Sequence, residues 1–151
     1  MKNNPSSKET ENDCIFCKFA RKEIDRASPY EDENIYTMLD INPAGTLIGH
    51  TLVIPKKHYK TIDQVDDKSL CEIIKAIKML TPAVIKVAGA QGANIIQNNG
   101  TAAGQAINHI HFHIIPRKFN DGIWFDEKRR KPAPMELIQT AKAIKEELKK
   151  L

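Results

Sequence analysis

Between Asn108 and Arg117 the chain reads Asn-His-Ile-His-Phe-His-Ile-Ile-Pro-Arg, and its alternation leaves little choice of conformation. Successive side chains of a β-strand point to opposite faces. A strand therefore gathers His109, His111 and His113 on one side and Ile110, Phe112 and Ile114 on the other. A helix would scatter both sets. The fold must then supply an apolar layer against one face and polar partners for three imidazoles on the other, because a buried polar group without a hydrogen bond is costly. Neighbouring histidines stand about 6.6 Å apart along such a strand.

The remaining pattern builds a domain around it. The 151 residues, 41% of them hydrophobic, suffice for one core without cross-links. Asp13 is placed to cap a short helix with Ile15, Phe16, Phe19 and Ile24 on its apolar side, and Ser28-Pro29 breaks the chain after it. Asn34 to Asp40 reads as a strand with Ile35, Thr37 and Leu39 on one face. The turn Asn42-Pro43-Ala44-Gly45 leads to a second strand, His50 to Ile54, closed by Pro55. Asp66 or Asp67 opens the longest helix, in which Leu70, Ile73, Ile74, Ile77 and Leu80 form the buried stripe. Thr81-Pro82 should kink that helix and Gly89 end it, and Cys71 reads as a small buried hydrophobe.

A third strand over Ala93–Gln97, a loop through Gly104, a histidine strand over Ile107–Ile115 stopped by Pro116, and a closing helix from Pro134 complete the order. That last helix carries Leu137, Ile138, Ala141, Ile144 and Leu148. The links Asn42–Gly49 and Asn98–Gln105 are too short for parallel crossovers. The expected fold is α+β, an antiparallel sheet of about five strands with flanking helices. Residues 1–12 are expected to be a disordered segment, followed by a single domain over 13–151 whose motifs end at 117.

Charge excludes more than it suggests. The net charge of +4 is spread along the chain except at Lys128-Arg129-Arg130-Lys131 and Lys149-Lys150, which does not make a nucleic-acid surface. No run of apolar residues is long enough to span a membrane, and the polar start lacks the apolar core of an export signal, so a cytoplasmic protein is expected. Three cysteines in that setting do not read as a disulfide framework. Cys14-x-x-Cys17 alone fits either a redox pair or half of a zinc site, although no strand precedes it as in thioredoxin-like motifs.

The histidine strand admits two chemistries. Imidazoles at alternate positions can ligate a metal, or one neutral imidazole can attack phosphorus. A hydrolytic metal centre wants a carboxylate beside its bound water, yet Glu72 is the only acidic residue between Asp67 and Asp121. The preceding loop instead offers Asn98, Asn99, Gly100, Thr101, Gly104 and Gln105, whose amides, hydroxyl and backbone N–H groups suit phosphate oxygens.

His109-Ile110-His111-Phe112-His113-Ile114-Ile115 resembles the alternating histidine signature of the histidine triad family of nucleotide hydrolases and transferases. Further blocks agree in order over residues 13–117: Cys14-Ile15-Phe16-Cys17, Leu39-Asp40-Ile41-Asn42-Pro43, Gly49-His50-Thr51-Leu52-Val53-Ile54-Pro55-Lys56-Lys57-His58, and Asn98-Asn99-Gly100 before Gly104-Gln105. The resemblance implies that His111 is the nucleophile, forming a nucleotidyl-histidine on purine nucleotides such as dinucleoside polyphosphates or nucleoside phosphoramidates. It implies phosphate contacts from His50, Asn98, Gln105 and His113, ribose recognition by Asp40, and a base pocket of Ile15, Phe16, Phe19 and Ile41. In the branch with two cysteines it implies a structural zinc on Cys14, Cys17, His58 and His109, no organic cofactor, and a homodimer covering the edge strand Ala93–Gln97. Two other readings stand beside it: a nucleotide-binding sensor or scaffold with vestigial catalysis, and a hydrolase whose zinc is held by the three histidines.

One departure from the family pattern carries a prediction. Ala106 stands where relatives often have Ser or Thr, so no hydroxyl protonates or orients a basic leaving group. Turnover of an alkylamine or aminoacyl phosphoramidate is expected to be impaired relative to a dinucleoside polyphosphate. Equal kcat/KM on the two substrates refutes this.

Overall fold

The computed structural model describes residues 14–42, 47–123 and 132–150. Residues 1–12, the Asp13 cap, the Pro43-Ala44-Gly45 part of the turn and the basic run Lys128–Lys131 lie outside them. A short helix α1 (Ile15–Ala20) precedes β1 (Ile35–Leu39) and β2 (Thr51–Pro55). The long helix α2 (Asp67–Val87), then β3 (Gly92–Gln97), β4 (Phe112–Arg117) and α3 (Pro134–Leu148), follow. All pairings are antiparallel, in the order β1-β2-β4-β3, so the fold is α+β as expected.

The sheet has four strands rather than about five. Ala27 to Glu31 does run along the outer edge of β1, with Leu39 N donating to the Ala27 carbonyl and Thr37 N to the Tyr30 carbonyl. Pro29 has no N–H for a ladder, and Tyr30 N turns to the Thr37 hydroxyl at 2.9 Å. Only an isolated bridge between Glu31 and Tyr36 survives of a fifth strand.

The register sorts the core into two layers. Ile35, Val53, Phe112 and Ile114 face α2, packing with Ile73, Ile77 and Leu80. Tyr36, Met38, Leu52 and Ile54 face α1, packing with Phe16, Cys14 and Cys17. Helix α1 is fastened to this second face from both sides: Tyr36 Oη donates to the Phe16 carbonyl at 2.8 Å, and Arg26 donates to the Phe19 carbonyl while pairing with Glu31 and lying over the Tyr36 ring. Ile24 lies beyond the helix, which ends at Ala20.

Two details of the helices differ from expectation, the buried face of α2 and the exposure of α3. Asp66 is the cap of α2, accepting from Ser69 N, but the buried stripe is Ile73, Ala76, Ile77 and Leu80. Ile74 is half exposed and Cys71 exposed, because each sits away from the sheet-facing side set by residues 73, 76, 77 and 80. Pro82 lies inside the helix, which resumes beyond it as expected, and Thr81 Oγ1 donates to the Ile77 carbonyl in the same turn. Gly89, at φ +59°, ends it with the paired bonds Gly89 N to Lys86 O and Ala90 N to Ile85 O that close a left-handed helix terminus. Helix α3 forms where expected, but Leu137, Ile138, Ile144 and Leu148 remain exposed.

The histidine strand is displaced toward its C-terminus. It spans Phe112–Arg117 instead of Ile107–Ile115, and Pro116 lies inside it. Pairing with β2 ends at Thr51–Ile114, whereas β3 continues to Arg117, so Pro116 occupies a stretch with one neighbouring strand. Upstream, Ile110 N donates to the Tyr59 carbonyl at 2.7 Å, so the approach to the strand pairs with a turn and not with a ladder. The alternation still holds. Ile110, Phe112 and Ile114 enter the α2 core, and the histidines face the α1 side.

Candidate active site

The three histidines divide into two groups as they emerge on the α1 side. His109 is fully buried, and its Nε2–H donates to the Pro55 carbonyl at 2.9 Å. That bond directs Nδ1 toward the start of α1, where Cys14 and Cys17 Sγ each lie 3.5 Å away. His58, carried by the turn after β2, places its Nδ1 3.3 Å from Cys17 Sγ. The ligand atoms of these four residues all lie within 4.8 Å of one another. A tetrahedral zinc, about 2.3 Å from sulfur and about 2.0–2.1 Å from nitrogen, would set sulfur and nitrogen about 3.5 Å apart. The group fits such an ion, and the Pro55 carbonyl supplies the outer partner that fixes a ligating imidazole. An ion shared by all three histidines is not supported: among the described residues His109 groups with the cysteines, His113 with Asp40 and His50, and His111 with neither set.

His111 and His113 open instead into a cleft of about 510 Å³. Its walls include the apolar Ile15, Phe16, Phe19 and Ile41, the polar Asn98, His111 and His113, Gly104, and Asp40, which directly follows β1. The size and the mixture of apolar wall with a few converging polar groups are those of a small-molecule site. Met38, Leu52 and Ile107 also line it and were not singled out from the sequence. The signal for two of them was there: Met38 shares a strand face with Asp40, and Leu52 pairs with both Met38 and His113.

His111 Nδ1–H donates to the His109 carbonyl at 2.7 Å, leaving the lone pair on Nε2. Its ring packs edge-on to Phe16, centroids 5.1 Å apart. Burial lowers its pKa below the ordinary imidazole value, against a smaller opposing effect of the His109 carbonyl and of Asp40. A neutral imidazole with one free nitrogen in an aromatic-walled cleft is suited to nucleophilic attack.

The other predicted phosphate ligands separate. Asn98 lines the cleft. Gln105 is buried and engaged elsewhere: its Oε1 accepts from Gly100 N at 2.7 Å, and its Nε2 donates to the Lys60 carbonyl at 2.7 Å and to Ile107 at 3.0 Å. Together with Ile62 N donating to Asn99 Oδ1, these bonds lash the 98–105 loop to the turn that carries His58. His50 sits behind His113, its Nε2 2.9 Å from His113 Nδ1 and its Nδ1 3.5 Å from Asp40 Oδ2.

Burial holds the His113 pKa down to about 4, with His111 and His50 beside it adding to the effect and Asp40 opposing it. An unfolded chain takes this proton near 6.5, whereas the folded one resists until about 4, so the stabilisation is complete above the first value and is lost on descending toward the second. The denaturant midpoint is expected to fall across that window, and His113→Asn to flatten the slope; an unchanged slope in the variant contradicts this.

Comparisons with known proteins agree with this geometry. The family model described as the HIT domain matches residues 21–120. An uncharacterized HIT-like protein of Methanocaldococcus jannaschii is 52% identical over 109 residues, covering 72% of this chain and 82% of that protein. A protein of Arabidopsis thaliana named as an adenylylsulfatase is 40% identical over 121 residues, or 80% of this chain but only 60% of its own length. The adenosine 5'-monophosphoramidase of Schizosaccharomyces pombe is 39% identical over 104 residues, 69% of this chain and 74% of that one. Among solved structures, a Streptococcus mutans protein superposes with TM-score 0.85 at 34% identity, covering 98% of this chain and 93% of its own. A zinc-bound histidine triad family protein of Mycobacterium smegmatis does so with TM-score 0.70 at 33% identity, covering 89% and 99%. With its histidines in the signature order and a family match spanning residues 21–120, well over half of its length, this chain belongs to the HIT, or histidine triad, domain family.

Proposed function

We propose that this protein is a hydrolase of purine nucleotides that cleaves at the α-phosphorus, acting on dinucleoside polyphosphates or nucleoside phosphoramidates through a nucleotidyl-histidine on His111. The observation that carries the reading is the bond from His111 Nδ1–H to the His109 carbonyl, 2.7 Å long, which commits the ring's proton and turns a bare nitrogen to the cleft. In the first step His111 Nε2 bonds to phosphorus, and the leaving group departs with the electron pair of the broken bond. Water then attacks phosphorus, the P–N bond breaks, its electron pair returns to Nε2, and a nucleoside monophosphate is released. The relatives named as an adenosine 5'-monophosphoramidase and an adenylylsulfatase favour adenylyl substrates.

In this reading Asn98, His113 and backbone N–H groups of the 98–105 loop face the phosphate, and Asp40 accepts from the ribose hydroxyls. The base lies between Ile15, Phe16, Phe19 and Ile41. Gln105 acts through the loop it braces, since breaking one of its buried bonds would cost about 1–3 kcal/mol. Zinc is the metal proposed for Cys14, Cys17, His58 and His109; two thiolates and two imidazoles saturate it, and when bound it would hold α1 and His109 together. A reducing, cytoplasmic setting would keep Cys14 and Cys17 available as thiolate ligands, and no helix among the described residues is long and apolar enough to cross a membrane. A homodimer joined beside β3 would cover this edge strand, where Ile95 is exposed.

Two experiments test the reading. His111→Asn is expected to retain nucleotide binding while losing turnover by several orders of magnitude, with a nucleotidyl adduct trapped by acid quench and seen by mass spectrometry only in the wild type. Retained turnover in the variant overturns the covalent route. Purified wild type is expected to hold about one zinc per chain, and Cys17→Ser to lose both the metal and thermal stability; a metal-free wild type excludes the zinc assignment.

A further inference from the structure

Hydrolysis of the proposed intermediate requires something to take a proton from water, and His111 cannot be that group once its Nε2 is bonded to phosphorus. Its other nitrogen is already protonated and tied to the His109 carbonyl. Among the described residues, the remaining titratable groups lining the cleft are His113 and Asp40. Asp40 is committed elsewhere: in the proposed function it accepts from the ribose hydroxyls, and its Oδ1 already accepts from Asn42 N at 2.9 Å while Oδ2 faces His50 Nδ1 at 3.5 Å.

We infer that Asp40 and His50 are positioning residues that make His113 the base for the water step. The inference rests on the nucleotidyl-histidine reading above and goes beyond it. The geometry is a chain of three groups. The Asp40 carboxylate favours a proton on His50 Nδ1, and a neutral imidazole carries only one. His50 Nε2 therefore accepts, and His113 Nδ1–H donates to it across 2.9 Å. The lone pair of His113 is then on Nε2, on a ring whose centroid lies 4.9 Å from that of His111.

His50 is almost fully buried, which keeps water from replacing it in the chain, and the backbone bond from Asp40 N to the His50 carbonyl, 2.9 Å, holds the two residues in step. When water attacks, its oxygen bonds to phosphorus and its proton passes to His113 Nε2, while the P–N electron pair returns to His111. The positive charge that develops on His113 is met by the lone pair of His50 and, through it, by the Asp40 carboxylate. An aspartate stabilises an imidazolium in the same way in a Ser-His-Asp triad, without itself taking the proton. Ala106 presents no hydroxyl to the cleft that would do this work instead.

The test uses the full-length protein and a nucleoside 5'-(p-nitrophenyl phosphate), whose leaving group departs without a proton. His50→Gln is expected to release one nitrophenolate per site in a burst and then turn over about 10²–10³-fold more slowly than the wild type, the range of a lost general base. The adduct on His111 should accumulate to near stoichiometry in quenched samples. Azide or fluoride, which attack without a proton to lose, should restore turnover of this variant at least about tenfold while leaving the wild type little changed. Asp40→Asn, which keeps the shape of the side chain, should show the same accumulation at saturating substrate to a smaller degree and serves if His50→Gln does not fold. Equal slowing of burst and steady state, without adduct, overturns the assignment, as does a failure of azide and fluoride to restore turnover. Turnover with no adduct in the wild type or either variant refutes the covalent reading itself, and the base assignment with it.

Discussion

The carbonyl of His109 is the joint on which the site turns. The ring of that residue is held between the Pro55 carbonyl and two cysteine sulfurs, so its main chain has little freedom. Its carbonyl then fixes the tautomer of the next histidine but one. A metal-compatible group and the proposed nucleophile are thus linked through a single residue: whatever holds the cysteines and His109 also decides which nitrogen of His111 bears the proton. In the proposed reading this sets the reacting imidazole beside a cluster whose four ligands would fill a tetrahedral ion.

The same economy runs through the loops. Gln105 and Asn99 join the 98–105 loop to the turn that carries His58, and the Tyr59 carbonyl takes the amide of Ile110. Displacing this turn would move the metal-compatible group, the loop and the approach to β4 together. The buried Gln105 amide, with both of its polar atoms engaged, makes this link rigid, since an unmade bond there is expensive. Arg26 does the comparable work for the opposite wall, holding the end of α1 against Tyr36 and so keeping Phe16 and Phe19 at the cleft.

Much of this was legible in the residue order. Strict alternation from His109 to Ile114 forces the division between core and site whatever the strand's limits, because the period of two survives even where the backbone leaves the ladder. The hairpin links, the two-layer core and the helix from Asp66 follow from period and turn chemistry in the same way. The errors share a cause. Pro116 was expected to stop a strand, yet a proline is excluded from a ladder only where a neighbour needs its N–H, and that depends on how far β2 extends. Cys71 and Ile74 were misplaced because a helical stripe several residues wide does not say where its centre meets the sheet.

The sequence by itself determined which residue types meet: alternating imidazoles, two cysteines three apart, and a loop of small and amide residues before the histidines. These are local patterns, and backbone geometry alone turns them into faces and turns. Only the tertiary structure decided how the histidines divide their work. Cys17 and His109 are 92 residues apart, as His50 and His113 are 63 apart, and no local period relates them. Their pairing is set by the stacking of α1 on the sheet and by the registers that bring Leu52 opposite His113. The directions of the hydrogen bonds, and with them the tautomer of each imidazole, exist only once those distant partners have met.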